Sequence, residues 1–426
     1  MHESIERTRQ GCNLQGALQT LNEIKGVIPI LHSNSGCGVQ NYFANKATTG
    51  SYGFLGGYEI PNSNIFEKQV IFGGTSRLRE QLKNTLKVID GYLYAVLSGC
   101  EAEMVGDDII SMTQEIVDQG EKAIYYKAPG FSGNQYTGYT GILNAIITQL
   151  PKLLTPPADK KKGLINILGV LPKQDIYWKG NLEELRRIFT AIGLEANTLF
   201  GYGQGLEQLR QLPGAELNLV VSKWGIPAAE KLKDLYGTPY LVFESIGLGT
   251  EIEVMIRAVA EALEVETTTL DEFLLKERKR FVHALEQFTE YAYDHDFQKS
   301  VAIVGDESTI LRYGNFLAKY WGMEIGIAII TDYLGPAEEQ QIPKVLQGVA
   351  KEIYYSKDTS TIKKIIKSGN IDLILGSSME NEVAGQLNIP NYPVSYPAIN
   401  KVIINKSDIG YSGAVSILED LSNLLI

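Results

Sequence analysis

Short apolar runs, each followed by a stretch of helical periodicity, recur along this chain and restrict it to folds that bury parallel strands beneath crossover helices. The clearest unit is Ser300–Gly305, which ends in Gly305-Asp306 and leads into a helix expected over Thr309–Tyr320, with Ile310, Leu311, Phe316 and Leu317 apolar. Gly322 suits the C-cap of that helix, and Glu324–Ile330 is the next strand. Leu164–Gly169 opens a second series, with a helix over Leu182–Ile192 closed by Gly193 and a strand over Glu195–Phe200. Leu217–Ser222 and Tyr240–Glu244 continue it, while Gly91–Cys100 and Lys122–Lys127 are strands of an earlier unit. The class expected is α/β, with three Rossmann-like domains built on central parallel sheets.

A chain of 426 residues exceeds one ordinary core, which agrees with several domains. Pro151–Lys162 is rich in proline and lysine and reads as a linker. Asp271–Phe297 is a long, charged helical pattern suited to bridging two units. The expected division is therefore a first domain over residues 1–150, a middle domain over 163–270 and a third over 298–426, with 271–297 as the bridging helix.

Charge narrows the function. Asp+Glu number 50 against 39 Lys+Arg, a net charge of −11, which disfavours nucleic acid and anionic membranes as partners. The charged opening MHESIERTRQ lacks the apolar core of a signal peptide, and no run nears the ~18 apolar residues of a membrane span. A cytoplasmic protein is expected.

The three cysteines are Cys12, Cys37 and Cys100, all in the first quarter of the chain. They form no CxxC pair, so a compact zinc site does not fit. Each adjoins a glycine, and Cys100 closes a predicted strand, where ligands of open α/β sheets gather. Glycines such as Gly36 and Gly99 let the backbone approach a bulky inorganic core and leave amides free to bond its sulfides. Buried cysteines also serve as plain small hydrophobes, and three thiolates are one short of the usual cluster set. A cluster here needs a further ligand, for which another chain is one source.

Three segments together closely resemble the β-type subunits of nitrogenase component 1. They are His32–Cys37 followed by Tyr42-Phe43, then Val70–Thr75 leading into a helix with Leu78 and Leu82, then Ser98–Asp108. Their order and separations match over long, irregular motifs. The resemblance implies that Cys12, Cys37 and Cys100 bind half of a bridging iron–sulfur cluster, of the 8Fe–7S P-cluster type or 4Fe–4S, at the contact with an α-type subunit. It also implies an α2β2 heterotetramer fed with electrons by a separate ATP-dependent iron protein. The chain carries no GxxxxGK(S/T) phosphate loop, which agrees with ATP hydrolysis on a partner.

One departure lies in Pro129–Asn134. A serine that can also ligate the cluster in nitrogenase's β-type subunit aligns with Asn134, with Ser132 two residues earlier. No cysteine follows Cys100, and His283 and His295 lie in the charged helical stretch, so the chain does not resemble the cofactor-bearing subunit. Two related readings use the same cysteines: a scaffold on which a nitrogenase-type metallocluster is assembled, and a subunit of a tetrapyrrole or carbon–sulfur reductase.

Other residues carry a plainer expectation beside a functional one. His32 could bond a cluster sulfide or aid docking, yet a hydrogen-bonded structural role is simpler. Glu101, Glu103, Asp107 and Asp108 could receive a basic partner, but carboxylates here suit helix N-termini. Gly201–Gly205 and Gly247–Gly249 read as strand–helix connectors. Tyr125, Tyr126, Tyr136, Tyr139, Tyr392 and Tyr396 suit either an interface or burial at a sheet.

Overall fold

The computed structural model describes residues 9–46, 60–149, 157, 159–335, 338, 342–399 and 401–426. Residues 1–8 of the charged opening, and 151–156 and 158 of the expected linker, lie outside the described residues. Among the described residues three separate sheets form, all of them parallel. The first has the order β1-β2-β3, from β1 (Val27–His32), β2 (Leu93–Ser98) and β3 (Ala123–Lys127).

The second sheet runs β5-β4-β6-β7, where β4 is Lys161–Leu168, β5 Glu195–Asn197, β6 Ala215–Val220 and β7 Tyr240–Val242. The third runs β10-β9-β8-β11-β12, from β8 (Ser300–Gly305), β9 (Glu324–Ile330), β10 (Glu352–Tyr355), β11 (Leu373–Gly376) and β12 (Asn391–Pro393). In both, the first strand in sequence lies inside the sheet and the order reverses beside it, as in doubly wound folds. The expected α/β class with parallel sheets is what forms.

The strands are buried for the reason their sequences suggest. All six residues of β2 are buried, and each apolar side chain so removed from water stabilises the fold by about 1.5–3 kcal/mol. The helix after β8 spans Glu307–Phe316, capped by the Asp306 carboxylate, which accepts from Thr309 N at 2.8 Å. It widens into a π turn over Leu317–Trp321 and stops at Gly322, whose φ of 64° is left-handed. The middle helix is Trp178–Ala191, four residues longer at its start than the apolar spacing suggested, because Trp178 is buried too. The first strand of the middle sheet begins at Lys161, inside the stretch read as linker, and the bridging helix is Thr267–Asp294. That helix buries Leu270, Phe273, Leu274, Glu277 and Phe281, and past Phe281 only Leu285, Phe288 and Ala292 pack partly against the core, so its charged far half is mostly exposed.

The units interlock. The C-terminal helix Gly410–Leu425 leaves the third sheet, pairs Gly410 with Leu248, and packs Tyr411 edge-on to Phe281 of the bridging helix. Between the middle and third units, Arg312 pairs with Asp408 at 2.6 Å, both buried, and Asn181 donates to Asp408 at 2.6 Å and to Asp175 at 2.9 Å. The tyrosines resolve as core: Tyr136, Tyr139 and Tyr392 are buried, so the interface reading does not hold for them. Among the described residues no helix is long and apolar enough to cross a membrane.

Burial, and then the neighbouring Asp408 carboxylate, push Asp175 up to about 7. An unfolded aspartate titrates near 3.9, so the folded state holds the proton more tightly. The resulting stability is complete below about pH 4 and is lost as pH rises through 7. The thermal midpoint should fall between about pH 4 and 7 and level off above, and Asp175→Asn should flatten that slope. A midpoint equally pH-dependent in the variant would exclude Asp175 as its source.

Candidate cluster site at the carboxyl edge of the first sheet

The carboxyl ends of β1, β2 and β3 each run into a helix or turn, and these ends gather the cysteines. After β1, Cys37 sits in the first turn of the helix Ser35–Lys46. After β2, Gly99 caps and Cys100 begins the helix Cys100–Val105, so the strand ends two residues before the cysteine. After β3 comes Pro129-Gly130, at the start of a short helical turn. Cys12 joins from a distance in sequence: it precedes the helix Asn13–Leu21 with extended backbone and bridges to Asn134. Two backbone bonds hold it there, Asn13 N to Gly133 O at 3.1 Å and Gln135 N to Gly11 O at 3.0 Å.

Gly130 lies between two of the thiols. Its N–H donates to Cys100 Sγ at 3.0 Å, and a Cβ on it would lie 3.1 Å from Cys12 Cβ and 3.2 Å from Cys100 Sγ. Cys37 is within electrostatic reach of both other cysteines. All three are free and half-buried. Burial raises the thiols of Cys12 and Cys37 above their ordinary range, so metal binding there must displace protons. Among the described residues no three His, Cys, Asp or Glu side chains converge tightly enough to grip one metal ion. Two soft sulfur donors against a glycine, one already receiving an amide N–H, with Cys37 within electrostatic reach of both, fit a larger iron–sulfur core.

Gly130 falls in the segment singled out in the sequence, but its role was not read there. Its Pro129-Gly130 pairing marks a turn, and only the fold brings that turn against two cysteines. Overpacking of this kind costs about 1–3 kcal/mol. Gly130→Val should therefore lower iron retention severalfold while far-ultraviolet dichroism stays unchanged. Full iron retention would show that the glycine is not needed for space.

The remaining expected residues fall into place around this edge. His32 is fully buried, with Nδ1 against Ser63 Oγ at 2.8 Å and Nε2 against Asp107 Oδ2 at 2.9 Å. Both ring nitrogens are engaged, so His32 offers none to a cluster sulfide. Burial lowers its pKa, opposed by the Asp107 charge. Asp107 also accepts from Gly74 N at 2.7 Å and Thr75 N at 3.1 Å, capping the helix Thr75–Val88, while Asp108 caps Ile109–Asp118. The capping role holds for both, although Asp107 serves a helix distant in sequence. Gly36 N bonds Asn34 Oδ1 at 2.7 Å, and at Gly99 a Cβ would meet Ser33 Cβ at 2.6 Å, so glycine is needed for close packing.

Ser132 Oγ accepts from Asn13 Nδ2 at 2.7 Å and donates to Pro129 O at 2.8 Å. Asn134 Oδ1 accepts from Tyr136 N and Thr137 N, and its Nδ2 donates to Gln10 Oε1. Both side chains thus order the 129–137 backbone beside Cys12. His283 is exposed, and His295, just past the bridging helix, bonds only Tyr291 O. The Gly-rich segments 201–205 and 247–249 connect strand to helix.

Beside Cys12 opens a cleft of about 680 Å³ lined by Arg9, Gly11, Cys12, Phe43, Gly130 and Ile399. Apolar side chains face outward on the Cys37 helix, the Cys100 helix and the Gly130 turn: Phe43 is 60% exposed, Met104 78% and Phe131 66%. Apolar exposure on this scale marks a surface made to be covered. A smaller cavity, about 100 Å³, lies where the carboxyl ends of β4, β6 and β8 converge. Part of its polar lining is paired internally, with Trp224 Nε1 on Asp332 at 2.9 Å and Lys223 at 3.3 Å from both Glu307 and Asp332. It contains no cysteine or histidine, and the chemistry-bearing site is the cysteine edge.

Known proteins agree with the geometry. A sequence profile of the nitrogenase component 1 type oxidoreductases matches residues 12–426. The nitrogenase molybdenum-iron protein beta chain of Frankia alni is 25% identical over 98% of this chain and 82% of its own. That of Methanococcus maripaludis is also 25% identical, over 97% and 93%, and the nitrogenase vanadium-iron protein beta chain of Trichormus variabilis is 23% identical over 97% and 92%. A solved structure described as nitrogenase Cp1 at pH 6.5 superposes with a TM-score of 0.83 at 20% identity, covering 100% of this chain and 94% of that one, which bears on the fold. With the family profile covering residues 12–426 and the fold in accord, the chain belongs to the nitrogenase component 1 type oxidoreductases, as a β-type member.

Proposed function

We propose that this chain is the β-type subunit of a nitrogenase-like reductase complex, holding an iron–sulfur cluster at its contact with an α-type partner through Cys12, Cys37 and Cys100. The observation that carries the reading is the gathering of these thiols at the carboxyl edge of the first sheet, on segments that also expose Phe43, Met104 and Phe131. The cluster, when bound, supplies one-electron redox chemistry and is of the bridging 8Fe–7S or the 4Fe–4S type. The chain's own residues do the holding. Gly130 N–H stabilises negative charge on the Cys100 sulfur, and the helix N-termini at Cys12, Cys37 and Cys100 present positive dipole ends to thiolates. The exposed apolar side chains exclude water once a partner covers them.

In this reading the complex is an α2β2 heterotetramer in the cytoplasm, reduced by an ATP-dependent iron protein, and the substrate chemistry belongs to the α-type chain. The test is optical. The anaerobically purified complex, mixed with its iron protein and MgATP, should change its visible absorbance as electrons enter and should turn over a small substrate. Transfer of the metallocluster to another apoprotein, with no turnover, would contradict the reading and establish an assembly scaffold instead.

A further inference from the structure

His32 grips the Cys100 helix at both ends. It closes β1 opposite Ser98, and its carbonyl accepts from Gly99 N at 2.9 Å, fixing the residue that precedes Cys100. Its imidazole Nε2 lies 2.9 Å from Asp107 Oδ2. Asp107 stands just past the other end of the same helix, where its N–H donates to Ala102 O at 3.0 Å. One residue therefore bonds both flanks of a six-residue helix.

The ring is held on both nitrogens, among buried partners: His32, Ser63 and Asp107 are all shielded from solvent. A carboxylate only accepts, so Nε2 carries the ring proton and Nδ1 accepts from Ser63 Oγ at 2.8 Å. Asp107 Oδ1 accepts besides from Gly74 N, Thr75 N and Thr75 Oγ1, at 2.7, 3.1 and 3.2 Å. Neither ring nor carboxylate can swing away without stranding buried polar groups, which costs about 1–3 kcal/mol for each. The other side of His32 leads to Cys37. Ser33 packs so closely on Gly99 that a Cβ there would lie 2.6 Å from Ser33 Cβ. Ser33 O accepts from Ile65 N at 3.0 Å, and Asn34 O accepts from Asn62 Nδ2 at 3.0 Å and from Cys37 N at 3.2 Å. The short link from His32 to Cys37 is thus pinned to the 62–65 segment, which the Ser63 hydroxyl ties back to the ring.

We propose that His32 is a positioning residue, which sets the separation of Cys37 from Cys100 for the cluster they hold. This role rests on the cluster-holding reading above. With both ring nitrogens engaged, His32 acts through the two segments it joins and touches no metal itself. What position 32 must supply is an N–H donor to a buried carboxylate.

Two substitutions separate positioning from plain stability. His32→Leu keeps the bulk and removes the donor, while His32→Gln keeps an N–H directed at Asp107. In the iron-loaded complex with the α-type partner, electron paramagnetic resonance and a potentiometric titration read the cluster. His32→Leu should change the line shape and shift the midpoint potential, and His32→Gln should return both toward wild type. In the iron-free full chain, bifunctional thiol reagents of graded length, followed by peptide mapping, read the span from Cys37 to Cys100. Wild type and His32→Gln should favour one reagent length, and His32→Leu should spread over several. An iron-loaded His32→Leu complex with wild-type spectrum and potential overturns the proposal, even where its thermal midpoint has fallen. Where His32→Leu does not fold, Ser63→Ala decides: it frees only Nδ1 and should shift the spectrum, and a wild-type spectrum there is equally fatal. A wild-type complex without iron sinks the cluster-holding reading, and the cross-linking still decides whether His32 sets the spacing of the two thiols.

Discussion

Cys100→Ala should remove most of the iron from the complex and bleach its visible absorbance. Cys100 begins its helix, receives the Gly130 N–H at 3.0 Å and lies within electrostatic reach of the other two thiols, so it is tied to every part of the site. Alanine takes away one of three sulfur donors and leaves that N–H without its acceptor. The side chain lost is small, so the sheet beneath it stays folded, and the thermal midpoint of the chain alone should shift little. Assembly with the partner should weaken along with iron binding, because the apolar side chains on the same segments would then surround an unfilled centre. Iron content by colorimetric analysis and subunit stoichiometry by gel filtration, both under anaerobic conditions, read the two effects. Unchanged iron would mean that the thiols are packing residues only.

The second large effect concerns the fold. Arg312 is buried beside Asp408 at 2.6 Å, and its charge also acts on Asp175. Tyr313 donates to Asp408 at 2.9 Å, and Asn181 donates to both carboxylates, so the network joins the third unit, the middle helix and the segment leading into the C-terminal helix. Arg312→Met leaves the buried Asp408 and the half-buried Asp175 without their cation, and breaking a buried pair from one side costs about 3–5 kcal/mol. A shift of that size in the urea unfolding free energy is expected. The double variant Arg312→Met, Asp408→Asn should recover part of it, since one stranded charge is then removed. A single variant within 1 kcal/mol or so of wild type would show that the pair contributes little.

The alternation of apolar runs and helical stretches revealed the α/β class because fully buried parallel strands leave a continuous apolar signature, as in Leu93–Ser98 and Ser300–Gly305. Edge strands take their extents from pairing: the run Glu195–Phe200 reads as a strand, yet only Glu195–Asn197 pairs with a neighbour, and the short strand Asn391–Pro393 leaves little signature. The linker reading went astray at Lys161 because its backbone already pairs opposite Ala215 while the Lys161 and Lys162 side chains stay exposed as in a linker. At the site, Cys12, Cys37 and Cys100 were legible through their glycines and their place in the chain. What the sequence could not supply was the long-range geometry: Asp107 reaching back to His32 and the 75–88 helix, and Gly130 wedged between two thiols. The tyrosines carried no such signal, because burial and interface draw on the same composition.

We propose the division at residues 1–150, 163–270 and 298–426, with 271–297 between, as the folding units, with the middle sheet starting two residues earlier at Lys161. The helix Gly410–Leu425 qualifies it, since it packs back onto the middle unit and the bridging helix. Truncation before Gly410 should accordingly destabilise the middle unit as well as the third.

The central claim is that the three thiols hold iron. Iron and acid-labile sulfide measured on the anaerobically purified wild-type complex test it most directly. The account predicts a coloured protein whose iron and sulfide are both lost when Cys12, Cys37 and Cys100 are replaced together. A colourless wild-type complex without iron or sulfide, assembled normally, would contradict it.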